Sequence, residues 1–144
     1  VLNRHNTVLG ELAAPKEDLI LVSVGYSDTC EPTPSELIEQ DLFSASSLWQ
    51  SLAMHEIEPH EDDPVQRFWH LFQIPVAWQQ GVFDSVLRLV AEDEIGNIMI
   101  MSINGQWIYH PYDGGADVIL AKENQRDAIK NRHQDWLSKH PKRL

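Results

Sequence analysis

The run Leu19-Ile20-Leu21-Val22-Ser23-Val24 constrains this chain more than any other segment. It is almost continuous in apolar and β-branched residues, and such a run reads as a central strand buried on both faces. A strand of that kind needs neighbours at its sides and a covering layer, so the fold must be organised around a sheet.

The flanking patterns supply the other elements. Leu2, Leu9 and Leu12 are separated by polar residues, which predicts a short amphipathic helix over 2–13 that ends before Pro15. Thr33-Pro34-Ser35-Glu36 has the form of a helix start, with a capping threonine, proline at the first helical position and a glutamate placed to reach back. Ile38, Leu42, Ala45, Trp49 and Leu52 then make one stripe, which predicts a helix over 34–54, with residues 44–47 as its weak point. Residues 67–76 are rich in aromatic and β-branched side chains and read as a strand. Phe68, His70, Phe72 and Ile74 point one way there, and Trp69, Leu71 and Gln73 the other. After Gly81, Phe83, Val86, Leu87 and Val90 share one helical face.

Residues 97–103 form an apolar strand, and Asn104-Gly105 predicts a type I′ hairpin turn returning through 106–109. A turn at Asp113-Gly114-Gly115, a strand over 117–120 and a helix from about 123 to 139 complete the chain; that helix is expected to bury Ile129, Trp136 and Leu137. The reading is a single α+β domain over 1–144. It has about five strands, mostly antiparallel or mixed, since helical crossovers can bring strands into parallel register, and about four helices packed on the sheet.

The 144 residues sum to a net charge of −11, and the charge is unevenly placed. Residues 17–66 hold twelve acids: Glu17, Asp18, Asp28, Glu31, Glu36, Glu39, Asp41, Glu56, Glu58, Glu61, Asp62 and Asp63; they hold no Lys or Arg. Residues 122–144 reverse the balance with seven bases and three acids. A surface this acidic repels nucleic acid and anionic membrane, which argues against both as partners. A plain solvated face would account for the same composition. A block free of cations also suits docking on a basic protein. The expected partner-binding residues are Glu31, Glu36, Glu39, Asp41, Glu56, Glu58, Glu61, Asp62 and Asp63, with Trp49 or Trp78 as aromatic anchor. Trp78, beside Gln79 and Gln80, is expected to be partly exposed.

Two clusters carry groups capable of chemistry. His55, Glu56, Glu58, His60, Glu61, Asp62 and Asp63 are ligand types for a divalent ion, but their spacing fits no compact metal motif, so no metal is expected. Residues 109–117 gather Tyr109, His110, Tyr112, Asp113 and Asp117 around a glycine turn. They suit general acid–base work or a ligand pocket, or equally a structural turn in which Asp113 caps and the tyrosines pack. With no nucleophile motif or phosphate loop beside them, the chain is expected not to be an enzyme and to need no cofactor. The single cysteine, Cys30, excludes an internal disulfide and suits a reducing, cytoplasmic setting. No apolar run reaches membrane-span length and no signal pattern opens the chain; it begins at Val1, so a segment can precede it.

The last third resembles a bacterial domain family of unknown function. A hairpin strand leads there into Tyr109-His110-Pro111-Tyr112-Asp113, then Gly115, Asp117-Val118-Ile119 and a helix bearing Trp136. The resemblance is clearest over 98–137 and looser over 11–24. The family often carries an Asp-Arg pair inside the turn, where this chain has the shorter Gly114-Gly115. The resemblance implies the architecture and no activity. By type, a small acidic single domain without a recognisable active site is similar to bacterial immunity proteins, which implies a cognate toxin domain of basic character as partner.

Overall fold

In the computed structural model, residues 1–35, 38, 41–57 and 66–137 are described. Among these residues the chain is a single α+β domain with an open six-stranded sheet. The order is α1 (Leu2–Leu12), β1 (Asp18–Ser27), β2 (Ser47–Ala53), a one-turn α2 (Met54–Ile57), β3 (Phe68–Ala77), α3 (Asp84–Ala91), β4 (Ile98–Ser102), β5 (Trp107–Tyr112), β6 (Gly115–Leu120) and α4 (Glu123–Arg132), followed by a 3-10 turn at Gln134–Trp136. Across the sheet the strands run β2-β3-β1-β4-β5-β6.

The run at 19–24 is central, as its composition demands. β1 pairs with β3 from Asp18↔Ala77 to Ser27↔Phe68, and with β4 from Leu19↔Ser102 to Ser23↔Ile98. Every pairing among the described strands is antiparallel, so of the two arrangements the patterning allowed, the antiparallel one is found.

Alternation assigns the two faces. Leu19 and Leu21 of β1, Ile98 and Ile100 of β4, and Trp107 and Tyr109 of β5 join Leu9 and Ala13 of the α1 region and Phe83, Val86, Leu87 and Val90 of the α3 region in one buried cluster. α3 has eight residues, too few to be stable alone in water, so burial of its apolar stripe is what holds it helical. Asn6 fastens the two helices: its Nδ2 donates to Asp84 Oδ1 at 2.6 Å, and its Oδ1 accepts from the Gly81 amide at 3.2 Å. The opposite face of the sheet presents Ile20, Val22, Val24, Met99, Met101 and Ile108, with Val22 fully buried among its neighbours.

Three local expectations are corrected. The helix expected over 34–54 does not extend to its end: Ser47–Ala53 is instead the edge strand β2, paired with β3. Asp41 and Phe43 have positive φ, 57° and 53°, which no continuing right-handed helix tolerates. Pairing with the free side of β3 then outweighs the helical stripe. At the β4–β5 connection only Gly105 has positive φ, and its amide donates to the Ser102 carbonyl at 3.0 Å. The turn therefore centres on Ile103-Asn104 with a left-handed glycine after it, not on a type I′ pair. The last helix ends at Arg132; Ile129 and Trp136 are half-buried and Leu137 is exposed.

Gly25 sits where β1 passes beneath the 33–34 backbone, and a methyl group there would overlap the Thr33 carbonyl oxygen. Gly25→Ala is expected to lower stability by about 2–3 kcal/mol in urea unfolding. Gly10→Ala, on the open side of α1 with nothing within 4 Å of the new carbon, should raise stability by about 0.5–1 kcal/mol.

Candidate functional site

Strand β2 forms one edge of the sheet, and its register with β3 shifts between Leu48 and Gln50. The irregularity falls on Trp49, and a bulge of this kind re-aims the side chain it carries. Trp49 is 50% exposed and Leu48 43%. Glu56 is exposed in α2 directly after the strand, and Asp41 is exposed in the segment before it. Asp28 and Glu31 are exposed in the loop leaving β1. That loop is tied toward β2 by a hydrogen-bond chain. Ser27 Oγ donates to the Thr29 carbonyl at 2.6 Å and lies 2.7 Å from His70 Nε2, while His70 Nδ1 lies 2.7 Å from Ser51 Oγ.

The hydroxyl proton of Ser27 is committed to Thr29, so its oxygen accepts from His70 Nε2–H. His70 Nδ1 then accepts from the Ser51 hydroxyl. A fully buried imidazole thus joins β1, β3 and β2 with both nitrogens satisfied. The sequence gives no warning of this set, because Ser27, Ser51 and His70 are distant along the chain and match no motif.

Glu17 and Asp18 lie at the other end of β1 from Asp28 and Glu31. Ten strand residues, roughly 30 Å, separate the two pairs. Among the described residues the acidic stretch is therefore divided in space, with Asp41 before β2 and Glu56 after it. Glu36, Glu39, Glu58, Glu61, Asp62 and Asp63 lie outside the described residues, as does His60 of the cluster considered for metal binding. Trp78 is 6% exposed, which corrects the expectation of exposure: its ring stacks on Phe83 at 6.2 Å and its amide donates to the Glu17 carbonyl at 2.8 Å.

The 109–117 cluster is split by strand alternation. Tyr109 points into the core face, whereas His110 and Tyr112 stand on the opposite face, their rings 6.3 Å apart. His110 is paired with Asp117 across β5 and β6. Burial, then the nearby Asp117 carboxylate, holds the Tyr112 phenol above its usual range. Asp113 is exposed at the turn, where Gly114 takes φ 85°.

Tyr109 instead meets a residue from the start of the chain. Its hydroxyl is 2.5 Å from His5 Nδ1, and the two rings meet edge-on at 6.0 Å. Both side chains are buried, 2% and 5% exposed. Burial pushes the Tyr109 phenol far above its ordinary value and His5 below its own, so the pair is neutral near pH 7. The pair borders an open cavity of about 560 Å³ lined by α1, β5, β6, α4 and the 3-10 turn, and Asp117 is the one residue among His110, Tyr112, Asp113 and Asp117 that reaches its lining. Among the described residues no helix is long and apolar enough to cross a membrane.

The unfolded chain binds a proton at His5 near pH 6.5, and the folded chain only at lower pH. Stability from this site is therefore complete above about pH 6.5 and declines as pH falls toward the lowered folded value. Urea unfolding between pH 5 and 7.5 should show that decline, and His5→Gln should flatten it. Tyr109→Phe should cost about 1–3 kcal/mol at pH 7, because it leaves a buried ring nitrogen without its partner.

Comparison with curated proteins and with solved structures found no match. The chain belongs to the family described as a domain of unknown function, DUF3885, whose model matches residues 1–141.

Proposed function

We propose that this chain is a non-enzymatic binding protein that docks on a basic protein partner through the β2 edge. In its most specific form the reading is that of a cytoplasmic immunity protein neutralising a cognate bacterial toxin domain. The observation that carries it is Trp49, half-exposed at the bulge, with exposed Asp41 before the strand, exposed Glu56 after it, and Asp28 and Glu31 in the loop linked to β2 through His70 of β3.

The physical logic has two parts. An exposed tryptophan offers a large apolar surface with only two rotatable side-chain bonds, so it loses little entropy when it enters a partner's pocket. Exposed carboxylates contribute little pairwise energy in water, but together they build a negative potential that steers a basic partner into register. A toxin domain acting on nucleic acid or nucleotides needs a basic cleft to approach phosphate, and an acidic edge with an aromatic anchor complements such a cleft. The exposed free thiol of Cys30 suits a reducing compartment.

The test begins with a tagged full-length chain as bait in its native cell, followed by binding kinetics with the basic protein recovered. Trp49→Ala should weaken that complex by about 30-fold or more, chiefly through faster dissociation. Glu31→Gln combined with Glu56→Gln should slow association and flatten its salt dependence. A complex indifferent to both changes removes the β2 edge from the interface and overturns the reading.

A further inference from the structure

We propose that the cavity bounded by α1, α4 and strands β5 and β6 is a binding site for a small organic anion with an apolar body. It lies at the β6 edge of the sheet, the edge opposite β2, and does not depend on the docking reading.

Charge is the first argument. The whole chain carries −11, yet Arg4, Arg126 and Lys130 line this one cavity, against the single carboxylate of Asp117. Arg126 is engaged through Nε by Asp127 at 3.0 Å, so Arg4 and Lys130 are the lining side-chain cations without a carboxylate partner among the described residues. The Arg4 guanidinium lies 5.2 Å from the centre of the Trp136 ring. A cation–π contact of this kind holds the group beside the indole without using its N–H donors as a carboxylate pair would. Glu11, the carboxylate best placed on α1 to neutralise α4, is held by Arg132 at 2.8 Å and His133 at 3.0 Å. Among the described residues, neither Arg4 nor Lys130 has an acidic partner within ion-pair distance.

Construction is the second argument. Small-molecule sites commonly enclose about 300–1,000 Å³, with mostly apolar walls and a few fixed polar groups. Here the cavity measures about 560 Å³, Val8, Val118 and Ile129 supply apolar wall, and the His5–Tyr109 pair supplies a buried polar one. His133 stacks on Trp136 at 4.2 Å and also bonds to Glu11, so the aromatic wall is braced from behind. A lining that combines cations with hydrocarbon fits a ligand that has an acidic group and an apolar or aromatic body.

Three probes of similar shape test this on the full chain: benzoate, phenyl phosphate and neutral benzamide. Binding is followed by NMR at the Trp136 indole N–H and the His5 ring. Benzoate and phenyl phosphate should give saturable shifts at both residues, at least about tenfold tighter than benzamide at low salt, with that preference shrinking as salt is added. Lys130→Gln and the double variant Arg4→Gln/Lys130→Gln should progressively remove the preference while the spectra remain those of the folded protein. Equal affinity for benzamide and benzoate, unchanged benzoate binding by a folded double variant, or shifts that never saturate with any probe would overturn the proposal. Shifts at Trp49 with none at Trp136 would place anion binding elsewhere and overturn it equally.

Discussion

The two-sided pairing of β1 is the constraint on which the rest of the molecule depends. One ten-residue strand is hydrogen-bonded to β3 along its full length and to β4 along five residues. These partners come from parts of the chain some forty to eighty positions downstream, so the contacts that define the sheet are non-local and costly in loop entropy. They persist because they satisfy the backbone of the most apolar segment while its side chains are buried. α1 and α3 then cover one face. The two edges, β2 and β6, are left as the places where the sheet meets other structure or solvent.

Those edges differ in character. At β2 the strand is irregular, most of its residues are exposed, and acids stand before and after it. Beyond β6 the chain turns back as α4, which meets α1 through the Glu11 contacts to Arg132 and His133. The space left beside that junction is the cavity floored by His5 and Tyr109. Among the described residues, the acids before and after β2 and the cations of α4 thus lie toward opposite edges of one sheet. The separation follows from topology: the acidic tract contains β2 and its flanks, and the basic tract contains α4.

Much of this was legible in the residues. The α1, β1, β3 and α3 segments carry strong periodicity or unbroken hydrophobicity, and each forms near its expected bounds. The 34–54 segment did not, because its stripe of Ile38, Leu42, Ala45, Trp49 and Leu52 also contains a serine-rich stretch and two positions that take positive φ. There the need of β3 for a partner decided the outcome. Trp78 was misjudged from its polar neighbours Gln79 and Gln80, since local polarity does not report whether Phe83 is free to stack on a ring. The sites were less legible than the fold. The exposure of Trp49 has no signature in its own stripe, and the His5–Tyr109 and Ser27–His70–Ser51 sets join residues between 19 and 104 positions apart.

The sequence by itself determined a sheet-centred α+β domain, its central strand, and an uneven distribution of charge. Those properties are written in short-range patterns of side-chain polarity, which act through burial and solvation wherever the segment lies. Tertiary structure alone decided which side chains meet: that His5 is hydrogen-bonded to Tyr109, that Trp49 is exposed at an edge, and that Glu17 and Asp18 lie at the opposite end of β1 from Asp28 and Glu31. Such meetings depend on register and topology, and a one-residue slip in a strand sends every side chain to the other face.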